Sequence, residues 1–258
     1  MNFELVPLAT SAASSAIKNL VCDFHSRISF LYQDQRFADA NDILCHSIKH
    51  HIDKTCEKYP PIVFKGCIEY ATEFVDCAFI CNNLIEEINR SEEKVIPLGF
   101  DLEWPFNFQT GSGKTALVQI CLDVDVCYLL HIYSLNKLPA AFIELLCHSK
   151  VILVGVNIKN DLRKLERDFK EFPAQKVVEN NCLDCGPFAN QRLNRSGRWS
   201  LERLTALVLK KKISKNPEVR RSKWHVQPLS DAQKIYAATD AYVSLLIYRE
   251  LHNPDLLK

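Results

Sequence analysis

Four short apolar runs, VIPLGFDLEW (95–104), TALVQICLD (115–123), VCYLLHIY (126–133) and VILVGV (151–156), lie within about sixty residues and constrain this chain most. Each is rich in β-branched and aromatic residues and too short for a globular helix, so each reads as a strand. The step at Asp123–Asp125 leaves room only for a tight turn, which predicts an antiparallel hairpin between the second and third runs. VILVGV is apolar almost throughout, the pattern of a parallel strand buried on both faces. Around it the chain alternates. A helix opens at Pro139 (PAAFIELLCHS), where proline suits a first turn, and DLRKLERDF follows as a second helix. A short extended segment near Val177–Asp184 comes next, then helices at SLERLTALVL and LSDAQKIYAATDAYVSLLIYRELH. Upstream, PIVFKGCIEY reads as a strand or hairpin edge and FVDCAFICNNLIEEINR as an amphipathic helix. Three sequential strands followed by alternating helix and strand predict an α/β domain with a mixed sheet and helices on both faces.

Residues 1–60 have a different texture. Ile17, Leu20, Val21, Phe24, Ile28 and Leu31 recur at helical spacing, a second helix is expected over Ala38–Cys56, and Pro60-Pro61 breaks the pattern. The expected division is a helical N-terminal appendage over 1–60 and one large domain over 61–258. The appendage either packs on that domain or recruits a protein partner or a second copy of the chain. The start MNFELVPLAT lacks the basic and apolar regions of a secretory leader, and no apolar run approaches the ~20 residues of a membrane span. Eleven cysteines at irregular spacing fit reduced, buried side chains. A nuclear or cytoplasmic protein with no membrane partner is expected. The net charge of +1 excludes a histone-like tail or a polyanionic buffer, but not a local basic patch.

Three strings could carry chemistry. In Phe100-Asp101-Leu102-Glu103-Trp104, strand alternation puts Asp101 and Glu103 on one face. Two carboxylates at the end of an apolar strand repel each other unless a cation lies between them, and hard ions such as Mg²⁺ take oxygen ligands. A polar strand end in solvent accounts for this string equally well. In Tyr236-Ala237-Ala238-Thr239-Asp240, the tyrosine and the aspartate stand i and i+4 on one helix face among small apolar residues, which would bury Asp240 and demand a partner for it. In Val154-Gly155-Val156-Asn157-Ile158-Lys159-Asn160-Asp161, the acid lies where a helix begins after a buried strand. Capping alone would explain it, although the carboxyl ends of α/β strands are also where sites collect.

Together these strings resemble the DEDD-type 3′–5′ exonucleases. Ile235 stands five residues before Asp240, where the histidine subclass carries its histidine, so the tyrosine subclass is indicated. Within it, FDLEWP, GKTALVQIC, GVNIKND, RWSLERL, SKWHVQPL and QKIYAATDAY resemble, in order, the Werner-syndrome-type exonuclease domain over roughly residues 61–252. Asn160 departs from the pattern, since many such enzymes have an aromatic residue before the third acid. The resemblance implies a ribonuclease-H-like fold and hydrolysis assisted by two Mg²⁺ or Mn²⁺ ions. Asp101, Glu103 and Asp240 would bind the first ion, Asp101 would bridge to the second with Asp161 assisting, and Tyr236 would orient the attacking water. Ions about 3.5–4 Å apart suit phosphodiester hydrolysis, because one activates water and the other stabilises the departing oxygen. The substrate would be a single-stranded or 3′-recessed nucleic acid, DNA favoured, with release of nucleoside 5′-monophosphates. An RNA 3′-end trimmer of the same fold and a non-catalytic nucleic-acid-binding protein are the alternatives.

Other signals carry less. GSGKT (111–115) mimics a phosphate loop, but Phe108 stands where that pattern needs glycine, and a strand-like run follows instead of a helix. A turn between strands is the better account. Cys182 and Cys185 form a lone C-x-x-C and read as core cysteines; His46 and His50 read as solvated surface. Between Gln191 and Lys223, eleven Lys or Arg face only Glu202 and Glu218, a composition that suits a phosphate-backbone surface or, in KKK and RRSK, a nuclear-import signal. Trp199 and Trp224 flank this stretch, as core residues or as stacking platforms. Trp104, Asn157, Arg163 and Lys223 are the expected nucleic-acid contacts.

Overall fold

The structure is a computed structural model that describes residues 59–214 and 216–257. The helices expected within 1–60, the boundary at Pro60-Pro61 apart, and His46 and His50 lie outside the described residues. The described residues begin with β1 (Cys67–Ala71) and α1 (Phe74–Arg90), followed by β2 (Ile96–Glu103), a small ribbon of β3 (Phe106–Asn107) and β4 (Gly111–Ser112), then β5 (Leu117–Cys121) and β6 (Val126–His131). After these come α2 (Ala140–Leu146), β7 (Val151–Gly155), α3 (Ile158–Asp168), α4 (Ala174–Asn180), β8 (Cys182–Asp184) and α5 (Cys185–Arg192). Then come α6 (Leu201–Leu204) running into a π-turn (Thr205–Leu209), α7 (Pro217–Arg220), α8 (Asp231–His252) and a closing 3-10 turn (Pro254–Leu257).

Six strands form one sheet in the order β1-β6-β5-β2-β7-β8. β2, β5 and β6 are successive antiparallel neighbours, while β7 joins β2 in parallel and β8 joins β7 in parallel. The hairpin turn between β5 and β6 is held by Asp123 Oδ1, which accepts from the backbone N–H groups of Asp125 (2.8 Å) and Val126 (2.9 Å). Strand alternation divides the core in two. Leu98, Phe100 and Leu102 of β2 pack with Val118 and Ile120 of β5 against α1, α2, α3 and α4. Leu117, Cys121, Leu129 and Val154 face the other way, against α5, the π-turn and α8. The expected mixed sheet with helices on both faces is therefore present.

One local expectation is corrected. The segment before β8 is helical over Ala174–Asn180, and only Cys182–Asp184 is extended. Val177 and Val178 are β-branched, but Val177 is fully buried with Phe169 and Phe172 in the first core cluster, and that packing outweighs a β-propensity worth about 1 kcal/mol. Cys182 packs against the first cluster and Cys185 lies in the second, so the C-x-x-C thiols divide between the two sides of the sheet. Burial pushes the Cys182 thiol up to about 12.

α8 lies directly on β2. A Cβ placed on Gly99 would stand 2.1 Å from the backbone oxygen of Ala241, so only glycine admits this approach. The helix is started by a capping box: Ser230 Oγ accepts from the Gln233 N–H (3.3 Å) while Gln233 Oε1 accepts from the Ser230 N–H (2.9 Å). The preceding strap is pinned by buried His131, whose Nε2 lies 2.9 Å from the Trp224 carbonyl and whose Nδ1 lies 2.7 Å from Gln227 Nε2. Trp224 is itself fully buried, which makes it a core residue. Gly99→Ala is expected to cost about 1–3 kcal/mol by overpacking. It should also lower activity beyond that loss, because lifting α8 moves Asp240 away from β2. Denaturant titration together with a turnover assay checks both effects.

Candidate active site

Because Leu98, Phe100 and Leu102 take one core, Asp101 and Glu103 project to the α8 side of β2, where the close approach at Gly99 brings Asp240 over them. Oxygens of Asp101, Glu103 and Asp240 all lie within 4.8 Å of one another. Ligand oxygens of a six-coordinate Mg²⁺ stand about 2.9 Å apart when adjacent and about 4.2 Å when opposite, so the trio is near enough to close on one ion by drawing inward. Asp161 stands one turn into α3, after Asn157 turns the chain out of β7 in the left-handed region (φ 65°) that asparagine tolerates. The Asn157 side-chain oxygen accepts from Asn160 Nδ2 at 2.8 Å. Asp161 is almost fully buried and close enough to Asp101 and Asp184 to feel both charges.

The electrostatics match a place built for cations. Desolvation raises the Asp101 carboxyl to about 6, even though the Leu102 N–H and the Arg220 guanidinium pull it down. Glu103 is raised well above its usual range by desolvation and then by Asp101 and Asp240. Asp161 is raised by desolvation, Asp101 and Asp184, with Lys164 opposing. Tyr236, one turn before Asp240, is raised by desolvation and by Asp240, Glu103 and Asp101, so its phenol keeps its proton at neutral pH. Carboxyls that destabilise one another in this way gain most from a shared divalent ion. An all-oxygen donor set favours Mg²⁺ or Mn²⁺ over softer metals. The residues present therefore fit divalent cations.

These groups open into a cavity of about 1620 Å³. Among the expected nucleic-acid contacts, Trp104 and Asn157 line it, whereas Arg163 and Lys223 are exposed and lie outside the lining. Its cations come instead from Lys164, Arg167, Arg198, Arg220 and Arg221. Lys164 is buried, with Nζ 5.0 Å from the Trp104 ring centroid, 2.9 Å from Asp168 and 2.6 Å from the Gly113 carbonyl. Asp168 also accepts from the Thr115 N–H and hydroxyl (2.7 and 2.6 Å), which ties α3 to the start of β5. Trp199 lines the cavity too, anchored by Nε1 donating to Asn190 Oδ1 (2.7 Å).

Sequence reasoning passed over two polar residues here. Asp184 ends β8, parallel to β7, at the carboxyl edge where α/β sites gather, and that position was its only signal. Gln119 stands directly opposite Asp101 across the β2–β5 ladder, fully buried, with neither amide atom bonded to another described residue. Its burial on a strand inside ALVQIC could not be told from an ordinary polar position.

Comparison with known proteins agrees with this geometry. Relatives named 3′–5′ exonuclease from Drosophila erecta and Drosophila melanogaster are each 48% identical over 202 residues, which cover 78% of this chain and 57% of theirs. The chain thus spans little more than half the length of these curated relatives. The fold is shared with NrnC of Brucella melitensis bound to pGG, at a TM-score of 0.53 and 18% identity, covering 72% of this chain and 80% of that one. The catalytic core of RRP6 from Trypanosoma brucei shares it as well, at a TM-score of 0.53 and 19% identity over 75% of this chain and 48% of that one. The sheet is accordingly of the ribonuclease-H-like kind. The sequence model described as 3′–5′ exonuclease matches residues 72–254, a span that holds every carboxylate of the cluster, and the chain belongs to that family, in its DEDD type.

Proposed function

We propose that this chain is a metal-dependent 3′–5′ exonuclease of the tyrosine subclass, Werner-syndrome-like in pattern, which releases nucleoside 5′-monophosphates from a single-stranded or 3′-recessed end, DNA favoured. The observation that carries this reading is the convergence of Asp101, Glu103 and Asp240, with Asp161 and Tyr236 beside them, at the floor of a cavity whose other charged groups are mainly cationic. Asp101, Glu103 and Asp240 would hold one divalent ion, and Asp101 with Asp161 a second. When bound, such a pair makes water a better nucleophile at neutral pH and offsets charge on the leaving oxygen.

The chain's own groups do the rest. Tyr236, kept protonated by burial and by its carboxylate neighbours, offers an O–H donor and a lone pair that orient the attacking water against the phosphate. Arg198, Arg220 and Arg221 attract and seat the phosphate backbone, and Trp104 borders the place of the terminal nucleotide. The clusters at 210–212 and 220–223 support the nucleus as its compartment. Incubation of a 5′-labelled DNA strand, and of its RNA counterpart, with protein and Mn²⁺ tests the reading. A ladder shortening from the 3′ end with mononucleotide product is expected, faster on DNA. Intact strands, internal cuts or shortening from the 5′ end would contradict it.

A further inference from the structure

We infer that the β3–β4 ribbon is a base-stacking subsite, in which Phe106 and Phe108 take nucleobases of the single strand on the 5′ side of the terminal nucleotide; this rests on the exonuclease reading for the direction of the strand.

Phe106 is 53% exposed and Phe108 84% exposed, and neither ring joins a core cluster. They meet only edge-to-face, with centroids 5.4 Å apart and planes at 90°. Two large apolar side chains held in water on a small ribbon do nothing for folding, and such exposure marks a contact surface. The ribbon is nonetheless firmly built, though two short strands alone would be marginal. Asn107 Oδ1 accepts from the Gln109 N–H (2.7 Å) and the Thr110 N–H (3.3 Å), and Gly111 takes the left-handed conformation that closes the turn. At its root the Gly113 N–H donates to the Pro105 carbonyl (2.8 Å), and buried Lys164 donates to the Gly113 carbonyl (2.6 Å). The rings are thus presented on a fixed frame.

The chemistry of the surroundings selects the occupant. Both phenylalanines line the cavity that holds the carboxylates, and Arg198, Arg220 and Arg221 line it with them. Aromatic faces for bases together with guanidinium groups for phosphates are the combination that binds single-stranded nucleic acid with little regard to sequence. An apolar peptide would satisfy the rings but bring no phosphate to the arginines. Reach agrees as well. Phe106 follows Glu103 by three residues, at most about 10 Å of chain, and a stacked strand advances about 3.4 Å per nucleotide. The rings therefore meet the second to fourth bases from the 3′ end.

The test is binding of a fluorescent twelve-residue thymidine oligonucleotide, compared with the same strand made abasic at positions two to four from its 3′ end, in EDTA. The wild type should bind the base-bearing strand more tightly by about tenfold or more, the scale of one or two stacked bases. F106A/F108A should lose that discrimination while keeping its affinity for the abasic strand and its unfolding midpoint, and F106W/F108W should restore it. Equal wild-type affinity for the two strands would overturn the subsite. So would a variant that still discriminates, or one that weakens both strands alike. Because EDTA removes turnover from the readout, a chain that stacks bases but releases no mononucleotide in Mn²⁺ would sink the catalytic reading and leave the subsite standing.

Discussion

Asp101→Asn combined with Glu103→Gln is expected to reduce mononucleotide release by about 10⁴-fold or more, because groups that act as one unit lose nearly everything when any part is removed. The same variant should fold normally. Asp101 and Glu103 are half-buried at the cavity floor, and the shape of β2 depends on Leu98, Phe100 and Leu102 on its other face. Both substitutions keep side-chain volume and remove only charge, so the loss would not arise from repacking. Its metal-free form should be more stable than the wild type, since two mutually repelling carboxylates are gone. Single-turnover kinetics beside a thermal melt separates these effects. Turnover within tenfold of wild type would place the chemistry elsewhere in the chain.

Removing and restoring divalent ions should have the second large effect, on stability. Asp101, Glu103 and Asp161 all have folded-state values raised above the ~4 of an unfolded carboxylate, so the folded chain binds more protons than the unfolded one between those limits. Stability must then fall as pH climbs from about 4 through the folded values. His131 acts in the opposite sense below about 6.5, because burial lowers it and the unfolded chain takes the proton first. Above about 8 the unfolded cysteines begin to ionise and add their own loss. In EDTA, a rise from pH 6.5 to 8 should therefore lower the wild-type unfolding midpoint. Mn²⁺ at a hundred times its dissociation constant should return about 2.7 kcal/mol. The Asp101→Asn, Glu103→Gln variant should lose most of both responses. A wild-type midpoint that rises over this pH window, or ignores Mn²⁺, would show that the carboxyls do not form one electrostatic unit.

The sheet was legible because its strands alternate cleanly. The period of two in Leu98–Glu103 assigns both the core face and the acidic face, and the turn at Asp123–Asp125 permits little besides a hairpin. Asp101, Glu103 and Asp240 were legible because a carboxylate on an apolar strand or an apolar helix face needs a reason to be there. What escaped lacks a local pattern. α4 is set by packing against Phe169 and Phe172, which its own seven residues do not encode. Strands of two residues fall below any periodicity, so the ribbon beside the GSGKT turn escaped: Phe106 went unremarked, and Phe108 drew notice only as the residue that breaks the phosphate-loop pattern. The cavity's arginines could not be chosen from the basic stretch by composition. Arg220 and Arg221 border the cavity through the placement of α7, while Lys223, equally exposed, lies outside the lining.

The central claim is that four carboxylates distant in sequence form a single cation-binding centre, and anomalous diffraction from crystals grown with Mn²⁺ tests it most directly. A peak within coordinating distance of Asp101, Glu103 and Asp240 is expected, with a second beside Asp101 and Asp161. A manganese-loaded crystal with no peak among these side chains, or with its ions bound only elsewhere, would contradict the account.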